Sequence, residues 1–462
     1  MRKQRRGFAA LLLCLAAACA CAAAFAPARA QQRRTVRVDF TETTLKNGLR
    51  VFLVEDHSAP VFTVDVAYNV GARNEVKGRT GFAHLFEHMM FKGSENVGEG
   101  EHYYHVFASG GDMNGFTTPD ITSYYNTLPS NQLEMGLYLE ADRMRALEIT
   151  KAKLDNQRNA VQEERRQGVD NQPYGRAEEL QQELLYDDFA YHHTVIGSME
   201  DLNAASLEDV AQFFKTYYAP NNAVLTLVGD FKPADALALI RKYFEPIPRQ
   251  PAPAPVQINE PEQKAERRQT VEDPLARLSQ VRIAFKAAPG NTPDYYALDI
   301  LSYALQSGQS SRLYQKLVKE RELATSVGGY MDERRGPGAL YVTVTVRPGK
   351  QPEEVEAAVY EELERIRKEP IADWELEKAK NNRRRAFASG IQSTLNRALE
   401  IGQNVVFYND AELINTQSDR LGAVTKDDIL RVAGKYLRPA NRVVVVTVPA
   451  RKAAPAPSGG GR

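Results

Sequence analysis

Hydrophobic residues along this chain recur with two periods, that of a strand and that of a helix. Residues 61–70 alternate as a half-buried strand does, and the pair Asn47-Gly48 between two apolar runs is typical of a hairpin turn. Helical spacing of the apolar residues follows over 80–91, 131–145 and 151–167. Because strands and helices do not strictly alternate, the pattern favours an α+β fold over a parallel, doubly wound sheet.

The segment from Ser206 to Val228 recurs without a gap from Thr425 to Thr447. Both copies predict an amphipathic helix, a Pro/Asn turn and a β-branched strand. Between them, residues 246–272 are rich in proline and charge, as interdomain linkers are. We therefore predict two homologous domains, at 31–245 and 273–450. The aligned identities are Asp209/Asp428, Tyr217/Tyr436, Pro220/Pro439, Asn222/Asn441 and Val224/Val443.

Residues 1–30 have the composition of an export signal rather than of a folded domain. Basic residues precede a nearly apolar stretch over 8–25, and Ala28-Arg29-Ala30 offers a small-x-small cleavage site. We expect cleavage after Ala30 and a periplasmic or secreted mature protein. Lipid attachment at Cys19 is the less favoured alternative, because Leu15 precedes it by four residues rather than three. The low-complexity segment 451–462 is predicted to be a disordered tail.

Composition narrows the chemistry that the mature chain can perform. All 3 cysteines lie within the predicted export signal, so the mature chain has neither a thiolate ligand nor a disulfide. Cleavage also removes five basic residues from a balance of 59 basic and 59 acidic ones, which leaves a net acidic protein and argues against a nucleic-acid partner. No later apolar run approaches the roughly eighteen residues of a membrane span.

The motif with the clearest chemistry is His84-Leu85-Phe86-Glu87-His88, inside the predicted helix 80–91. Positions i and i+4 of a helix share one face, so both imidazoles can bind one metal ion, with Glu87 pointing toward it. The order His-x-x-Glu-His is the inverzincin signature of zinc hydrolases. The alternative interpretation is a solvated helix with a histidine pair.

A catalytic zinc site takes three protein ligands and a water, so one ligand is missing from this motif. Cysteine is excluded, which leaves a distant histidine or carboxylate. His102 and His105 are close in sequence, but their short segment has no evident path back to the helix. Glu163 and Glu164, in the predicted helix 151–167, are better placed, and these residues alone do not decide between them.

Residues 81–97 (GFAHLFEHMMFKGSENV) resemble the zinc-site helix of the insulinase/pitrilysin-type metallopeptidases. The chain is most similar to their short two-domain branch, which includes the mitochondrial processing peptidase and its bacterial relatives. The family's third ligand is a glutamate about 76 residues after the second histidine, and Glu164 matches it. The resemblance implies one Zn²⁺ per chain, held by His84, His88 and Glu164, with Glu87 as general base. It also implies that each domain is a mostly antiparallel sheet packed with helices, and that the chain is half of a clam-shell dimer.

Residues 110–118 resemble the family's edge strand beside zinc, which implies that a peptide substrate pairs there and that Asn114 and Gly115 bind it. Two departures from the family matter. Gln157 replaces a glutamate that often supports catalysis, and an amide cannot act as a base. Val318 and Thr325 occupy the places of an Arg/Tyr pair that grips the substrate.

The resulting hypothesis is an exported zinc endopeptidase that hydrolyses peptides or unfolded segments inside a chamber. The absent Arg/Tyr pair predicts a heterodimer with an inactive homologue that supplies it, and a homodimer is the main competing assembly. A non-catalytic scaffold that keeps the peptidase fold is the alternative function. The complete set of zinc residues favours the peptidase.

Overall fold

The computed structural model describes residues 37–450, so the predicted export signal and the predicted tail lie outside the described residues. Within that range, the first half of the chain builds a six-stranded sheet in the order β1-β2-β6-β3-β5-β4. Neighbouring strands are antiparallel except for the parallel pair of β2 and β6. The strands are β1 Thr41–Thr44, β2 Arg50–Glu55, β3 Val61–Tyr68, β4 Asp112–Thr117, β5 Thr122–Pro129 and β6 Ala223–Gly229.

Most helices of the first half pack on one face of this sheet around an apolar core that includes Val64, Val66 and Phe86. A π-helical segment, Arg166–Asp170, directly extends the fourth helix. The helices are α1 Phe82–Met89, α2 Glu101–Ala108, α3 Leu133–Arg145, α4 Lys151–Arg165, α5 Gly175–Leu185, α6 Phe189–His192, α7 Met199–Ala204, α8 Leu207–Tyr217 and α9 Pro233–Phe244, with 3₁₀ turns at Ala72–Asn74, Ser130–Gln132 and Pro220–Asn222.

The second half repeats this topology in a five-stranded sheet of order β7-β11-β8-β10-β9, again with one parallel pair, β7 with β11. Its strands are β7 Arg267–Asp273, β8 Gln280–Pro289, β9 Ala324–Asp332, β10 Pro337–Val346 and β11 Arg442–Pro449. Its helices are α10 Pro293–Gln306, α11 Pro352–Lys368, α12 Asp373–Gly390, α13 Thr394–Tyr408, α14 Leu413–Ala423 and α15 Lys426–Tyr436, with a π-helical segment at Tyr314–Glu320 and a 3₁₀ turn at Pro439–Asn441.

The sequence repeat has a structural counterpart in both halves. Ser206 and Asp209 form a reciprocal capping box at the start of α8, and Thr425 and Asp428 form the same box at the start of α15. In each half the repeated asparagine donates its side-chain amide to a tyrosine carbonyl at the end of that helix, 2.8 Å away. The structure therefore confirms the predicted α+β fold with two homologous units.

Each sheet is covered on its second face by a helix from the other half. Helix α13 packs on β3 and β6, where an apolar cluster joins Phe52 and Val228 to Ile401 and Val405. Helix α5 packs on β8 and β11 of the second sheet, with Leu185 in the cluster there. This exchange removes the exposed apolar face that a sheet with helices on one side would leave.

The predicted linker, 246–272, ends inside strand β7. The strand was not evident because it is a sheet edge, and an edge strand exposed on most positions has no alternating apolar pattern. The preceding residues have no regular structure but are anchored: the Glu260 carboxylate accepts from the backbone amide of Asp188 and pairs with Lys286. The segment therefore ties the two halves together rather than separating them. In residues 37–450, no helix is both long and apolar enough to cross a membrane.

Candidate metal centre

The helix that carries the histidines, α1, begins at a tightly constrained glycine. Gly81 has φ 83°, and a Cβ there would lie 2.6 Å from the carbonyl oxygen of Ile196. The buried Glu75 carboxylate caps the helix by accepting from the backbone amides of Gly81 at 2.9 Å and Ala83 at 2.7 Å. An acidic cap also suits the positive end of the helix dipole. The start of α1, and with it the position of both histidines, is thereby fixed.

His84 and His88 lie one turn apart on α1, with their Nε2 atoms 3.2 Å apart. Burial lowers the pKa of His84 to about 4, and burial also lowers the pKa of His88. Both rings are therefore neutral near pH 7, as metal ligands must be. The Nε2 atoms of the two rings therefore point toward one common position.

The third donor comes from α4. Glu164 places one carboxylate oxygen 3.3 Å from Nε2 of His88 and 3.7 Å from Nε2 of His84. Glu163 turns away and accepts hydrogen bonds from Arg166 and Gln167, at 3.0 and 2.9 Å. The structure therefore distinguishes Glu164 from Glu163, the two candidate ligands between which the helical pattern did not decide.

These three donor atoms fit a zinc ion. In a tetrahedral site with bonds of about 2.0–2.1 Å, the ligand atoms lie about 3.3 Å from one another. The separations found here bracket that value, and the two imidazoles and one carboxylate form a typical set of catalytic zinc ligands. Among the described residues, His84, His88 and Glu164 are the group of metal-ligating side chains whose donor atoms converge.

Glu87 is held beside this point by the edge strand β4. The hydroxyl of Thr117 donates to the Glu87 carboxylate at 2.6 Å. A Cβ on Gly115 would lie 3.3 Å from Cγ of Glu87 and 3.0 Å from the ring of Tyr124, so a larger residue would crowd the carboxylate. Burial raises the pKa of Glu87 to about 7, Thr117 opposes this shift, and the charge of Glu164 adds to it. A bound cation would lower this pKa again.

Thr117 was missed by sequence reasoning, although a signal for it exists. Side chains two residues apart in a strand share a face, so Thr117 lies on the same face of β4 as Gly115 and therefore beside Glu87. Asn114, the residue before Gly115, is different: it is exposed on the opposite face, where its side chain accepts from the amide of Gly115. Asn114 can therefore reach a peptide paired with this edge more readily through its backbone than through its side chain.

Gln157 lies on the same face of α4 as Glu164 and is buried; its amide nitrogen donates to the side-chain oxygen of Asn156 at 2.5 Å, and its side chain partly offsets the lowering of the His88 pKa by burial. It can orient the histidine but cannot take a proton. The two remaining histidines of this region do not join the metal group. His102 is buried against Phe91 with ring centroids 6.3 Å apart, and His105 is exposed on α2.

The second half offers no comparable centre, since all 7 histidines of the chain precede residue 194. Val318 packs against the core of the second half, and Thr325 is exposed at the start of β9. Arg312, six residues before Val318, is bound to Glu375 by two hydrogen bonds of 2.6 and 2.7 Å. Its ion pair serves the packing of helices.

Comparison with known proteins agrees with this geometry. The family model described as "Insulinase (Peptidase family M16)" matches residues 50–199, and the one described as "Peptidase M16 inactive domain" matches residues 204–383. The zinc protease PqqE of Helicobacter pylori is 31% identical over 410 residues, which cover 88% of this chain and 92% of that protein. The chain belongs to the insulinase family of peptidases.

Two further relatives of this insulinase-family chain extend the comparison. The crystal structure of a protease from Helicobacter pylori has a TM-score of 0.86 and 30% identity, and the match covers 90% of this chain and all of that one. The probable mitochondrial-processing peptidase subunit beta of Arabidopsis thaliana is 24% identical over 409 residues, covering 86% of this chain and 76% of that protein. The resemblance seen in the sequence is thereby confirmed at the level of family and fold.

Proposed function

We propose that this member of the insulinase family is a zinc-dependent endopeptidase with one Zn²⁺ per chain. The observation that carries the proposal is the convergence of His84, His88 and Glu164 from two separate helices, with donor atoms 3.2–3.7 Å apart and Glu87 beside them. A structural ion would require a closed fourth position, whereas these three ligands leave one open. Water activation is the chemistry that such an open site supports.

His84, His88 and Glu164 would hold the zinc ion, which when bound would supply a Lewis acid that lowers the pKa of a water molecule toward about 7 and polarises the scissile carbonyl. Glu87 accepts the proton of the attacking water at the carboxylate and then donates it to the leaving amine. Thr117 holds the carboxylate in place through its hydrogen bond to one oxygen, which leaves the other oxygen for the proton. Gln157, buried on the same face of α4 as Glu164, would help to orient the His88 ring toward the metal position.

A peptide substrate would bind in extended form along β4. This strand pairs only with β5 within the described sheet, so its outer backbone groups can pair with a peptide. Backbone hydrogen bonds carry little sequence information, and the proposed specificity of this contact is broad. Gly115 and Asn114 present their backbone to the substrate next to Glu87.

The proposal includes export and a partner. Residues 1–30 read as a secretory signal, so the enzyme would work in the periplasm or outside the cell. The second half lacks the Arg/Tyr pair at Val318 and Thr325, which supports assembly with an inactive homologue that carries it. In a homodimer, neither chain would supply that pair, so this assembly predicts substrate grip by other groups.

The proposal is tested first by zinc content, with two adjacent glutamates as a matched pair. We expect the purified wild type and Glu163→Gln to hold one zinc per chain by elemental mass spectrometry, and Glu164→Gln to lose it. Both variants remove one carboxylate from the same helix, but only Glu164 faces the histidines. Equal zinc content in Glu164→Gln and the wild type would contradict the ligand assignment.

Turnover separates the peptidase from the scaffold. Quenched peptides should be cleaved by the wild type in the presence of its partner, and cleavage should stop on adding a chelator and return with zinc. A zinc-loaded protein that cleaves no peptide, alone or with an inactive homologue, would favour the scaffold function.

A further inference from the structure

A cavity of about 300 Å³ lies at the junction of the two halves. Gln181 and His193 line it from the first half, and Arg282, Tyr330 and Arg334 line it from the second. This volume is at the lower end of the roughly 300–1,000 Å³ of sites that hold small molecules. The cavity thus has room for a side chain or a chain terminus of a peptide, and none of its lining residues belongs to the proposed zinc centre.

Arg334 is a charged residue built into this junction. Its side chain is buried, and its guanidinium carbon lies 4.7 Å from the ring centroids of both Tyr186 and Tyr191, which hold it from the first half. Its Nε donates to Asp332 at 2.7 Å, whereas Nη1 has no hydrogen-bond partner. A buried guanidinium with an unused donor is costly unless a ligand or water completes it.

A second arginine, Arg282, lines the same cavity next to Gln181. Arg282 donates through Nε to the side-chain oxygen of Gln181 at 3.2 Å and through Nη2 to the exposed Glu178 at 3.3 Å. Gln181 is buried, and its amide nitrogen has no hydrogen-bond partner. The carboxylates of Asp332 and Glu178 are both engaged by arginines. Three lining atoms have no hydrogen-bond partner: Nε2 of His193, and the nitrogens of Arg334 and Gln181, which are donors. Such a lining selects a ligand with acceptor oxygens.

The cavity lies at the end of the strand that would hold the substrate. Gly115 of β4 is beside Glu87, and Pro119, four residues later, lines the cavity. At about 3.3 Å a residue, four extended residues span at most about 13 Å. A peptide paired with β4 and cleaved beside Glu87 would therefore bring its third or fourth residue from the scissile bond to the cavity.

We propose that this cavity binds a carboxylate of the peptide substrate, carried by an acidic side chain or by a chain terminus three or four residues from the scissile bond. The inference rests on the proposed peptidase function and adds a preference to it. Broad backbone pairing along β4 would then be combined with one charge-selective contact, made by Arg282 and Arg334 together.

The test uses pairs of quenched peptides that differ only by Glu or Gln at the third or fourth position on either side of the cleavage site. Their ends are blocked, and a second set of shorter peptides ends at those positions with a free carboxylate or an amide. kcat/KM is measured with the zinc-loaded full chain and its partner. Kd is measured by fluorescence anisotropy with Glu87→Gln, so that binding is read without turnover.

We expect the carboxylate of one such pair to improve both kcat/KM and Kd by about tenfold, the factor that one charge-assisted hydrogen bond supplies. In Arg282→Gln this ratio should fall to near one. Arg321→Gln, which removes a charge paired with Glu361 elsewhere in the second half, should keep it. Preference for free termini alone would support the cavity and assign its ligand as a chain terminus.

Equal values for carboxylate and amide at every position, with cleavage intact, would overturn the cavity proposal and leave the peptidase standing. A preference that survives in Arg282→Gln would overturn it as well. If no peptide is cleaved, the proposed function fails, and the Kd ratios still decide whether the cavity binds carboxylates. The wild-type ratios need no variant, so poor folding of Arg282→Gln, checked by thermal unfolding, does not block the test.

Discussion

The two halves of this chain share one scaffold, yet among the described residues only the first half brings metal-ligating side chains to one point. In the first half, helices α1 and α4 bring two imidazoles and a carboxylate to one point beside the edge strand β4. In the second, the corresponding pair α10 and α12 is joined by an ion pair in which Nε of Arg383 donates to Asp299 at 2.6 Å. The same helix contact therefore holds the proposed catalytic centre in one half and a packing ion pair in the other.

The two halves also differ in the side chain that lies beside a glycine of the edge strand. A Cβ on Gly115 of β4 would approach the Glu87 side chain to 3.3 Å, and a Cβ on Gly329 of β9 would approach the side-chain oxygen of Gln306 to 2.4 Å. The first half has a carboxylate beside its glycine, whereas the second has an amide that donates to the backbone of Tyr341. Both halves therefore keep the close approach of helix and strand that the fold requires. The proposed peptidase chemistry depends on only a few residue types at that contact.

The largest effect is expected when the carboxylate of Glu87 is replaced by an amide, as the second half has at this place. Glu87→Gln should keep zinc and the fold but lose about 10²–10⁴-fold in kcat, because the general base is gone while the ligands remain. Zinc content, the unfolding midpoint and kcat would be measured together. Glu163→Gln is the control, and near-normal turnover in Glu87→Gln would refute the assigned base.

The ion pair of the second half should matter for stability and not for chemistry. Burial raises the pKa of Asp299 and Arg383 opposes that shift, so Arg383→Met leaves a buried carboxyl without its partner. We expect a loss of about 3 kcal/mol in the free energy of unfolding, measured in urea, with unchanged zinc content. The exposed Arg385→Met is the matched control on the same helix. If both variants lower the free energy of unfolding equally, the ion pair between Arg383 and Asp299 does not have this structural role.

Helix α13 of the second half packs on the sheet of the first half. Its contribution to stability can be measured through the ion pair between Arg397 of α13 and Asp56, the residue after β2. The hydrogen bond from Arg397 is the main cause that lowers the pKa of Asp56 to about 2. Because this pKa is depressed, the stabilisation is present above the unfolded value of 3.8 and is lost as the pH falls toward 2. Asp56→Asn should cost about 2 kcal/mol at pH 7 and progressively less below pH 4. Urea unfolding of both proteins at pH 7 and pH 3 measures this, and a pH-independent difference would contradict it.

The smallest expected effect tests how the edge strand positions the base. Thr117→Val removes the hydroxyl that donates to Glu87 and should lower kcat/KM by about tenfold. Since this hydrogen bond lowers the pKa of Glu87, its loss should also move the acid limb of the pH profile to higher pH. Thr325→Val, at the matching edge of the second half, should change neither rate nor profile. If the acid limb of the pH profile does not shift in Thr117→Val, then groups other than Thr117 position Glu87.

Local rules accounted for much of the fold before any tertiary contact was considered. The Asn47-Gly48 hairpin and helices α1, α3 and α4 lie where the apolar periodicity placed them, within two or three residues at the ends. The capping boxes at Ser206 and Thr425 explain why the sequence repeat is also a structural one. Strand β7 escaped prediction because an exposed edge has no alternating pattern to detect.

The sequence by itself determined what depends on neighbours along the chain. The spacing of His84, Glu87 and His88 fixes their common face because one helical turn is local geometry, and the family resemblance then selects Glu164. Only the tertiary structure decided what depends on remote packing. It turned Glu164 rather than Glu163 toward the histidines, set Thr117 against Glu87, and laid a helix of each half on the sheet of the other. Those contacts join residues far apart in sequence, and no local pattern encodes the direction in which two distant elements approach each other.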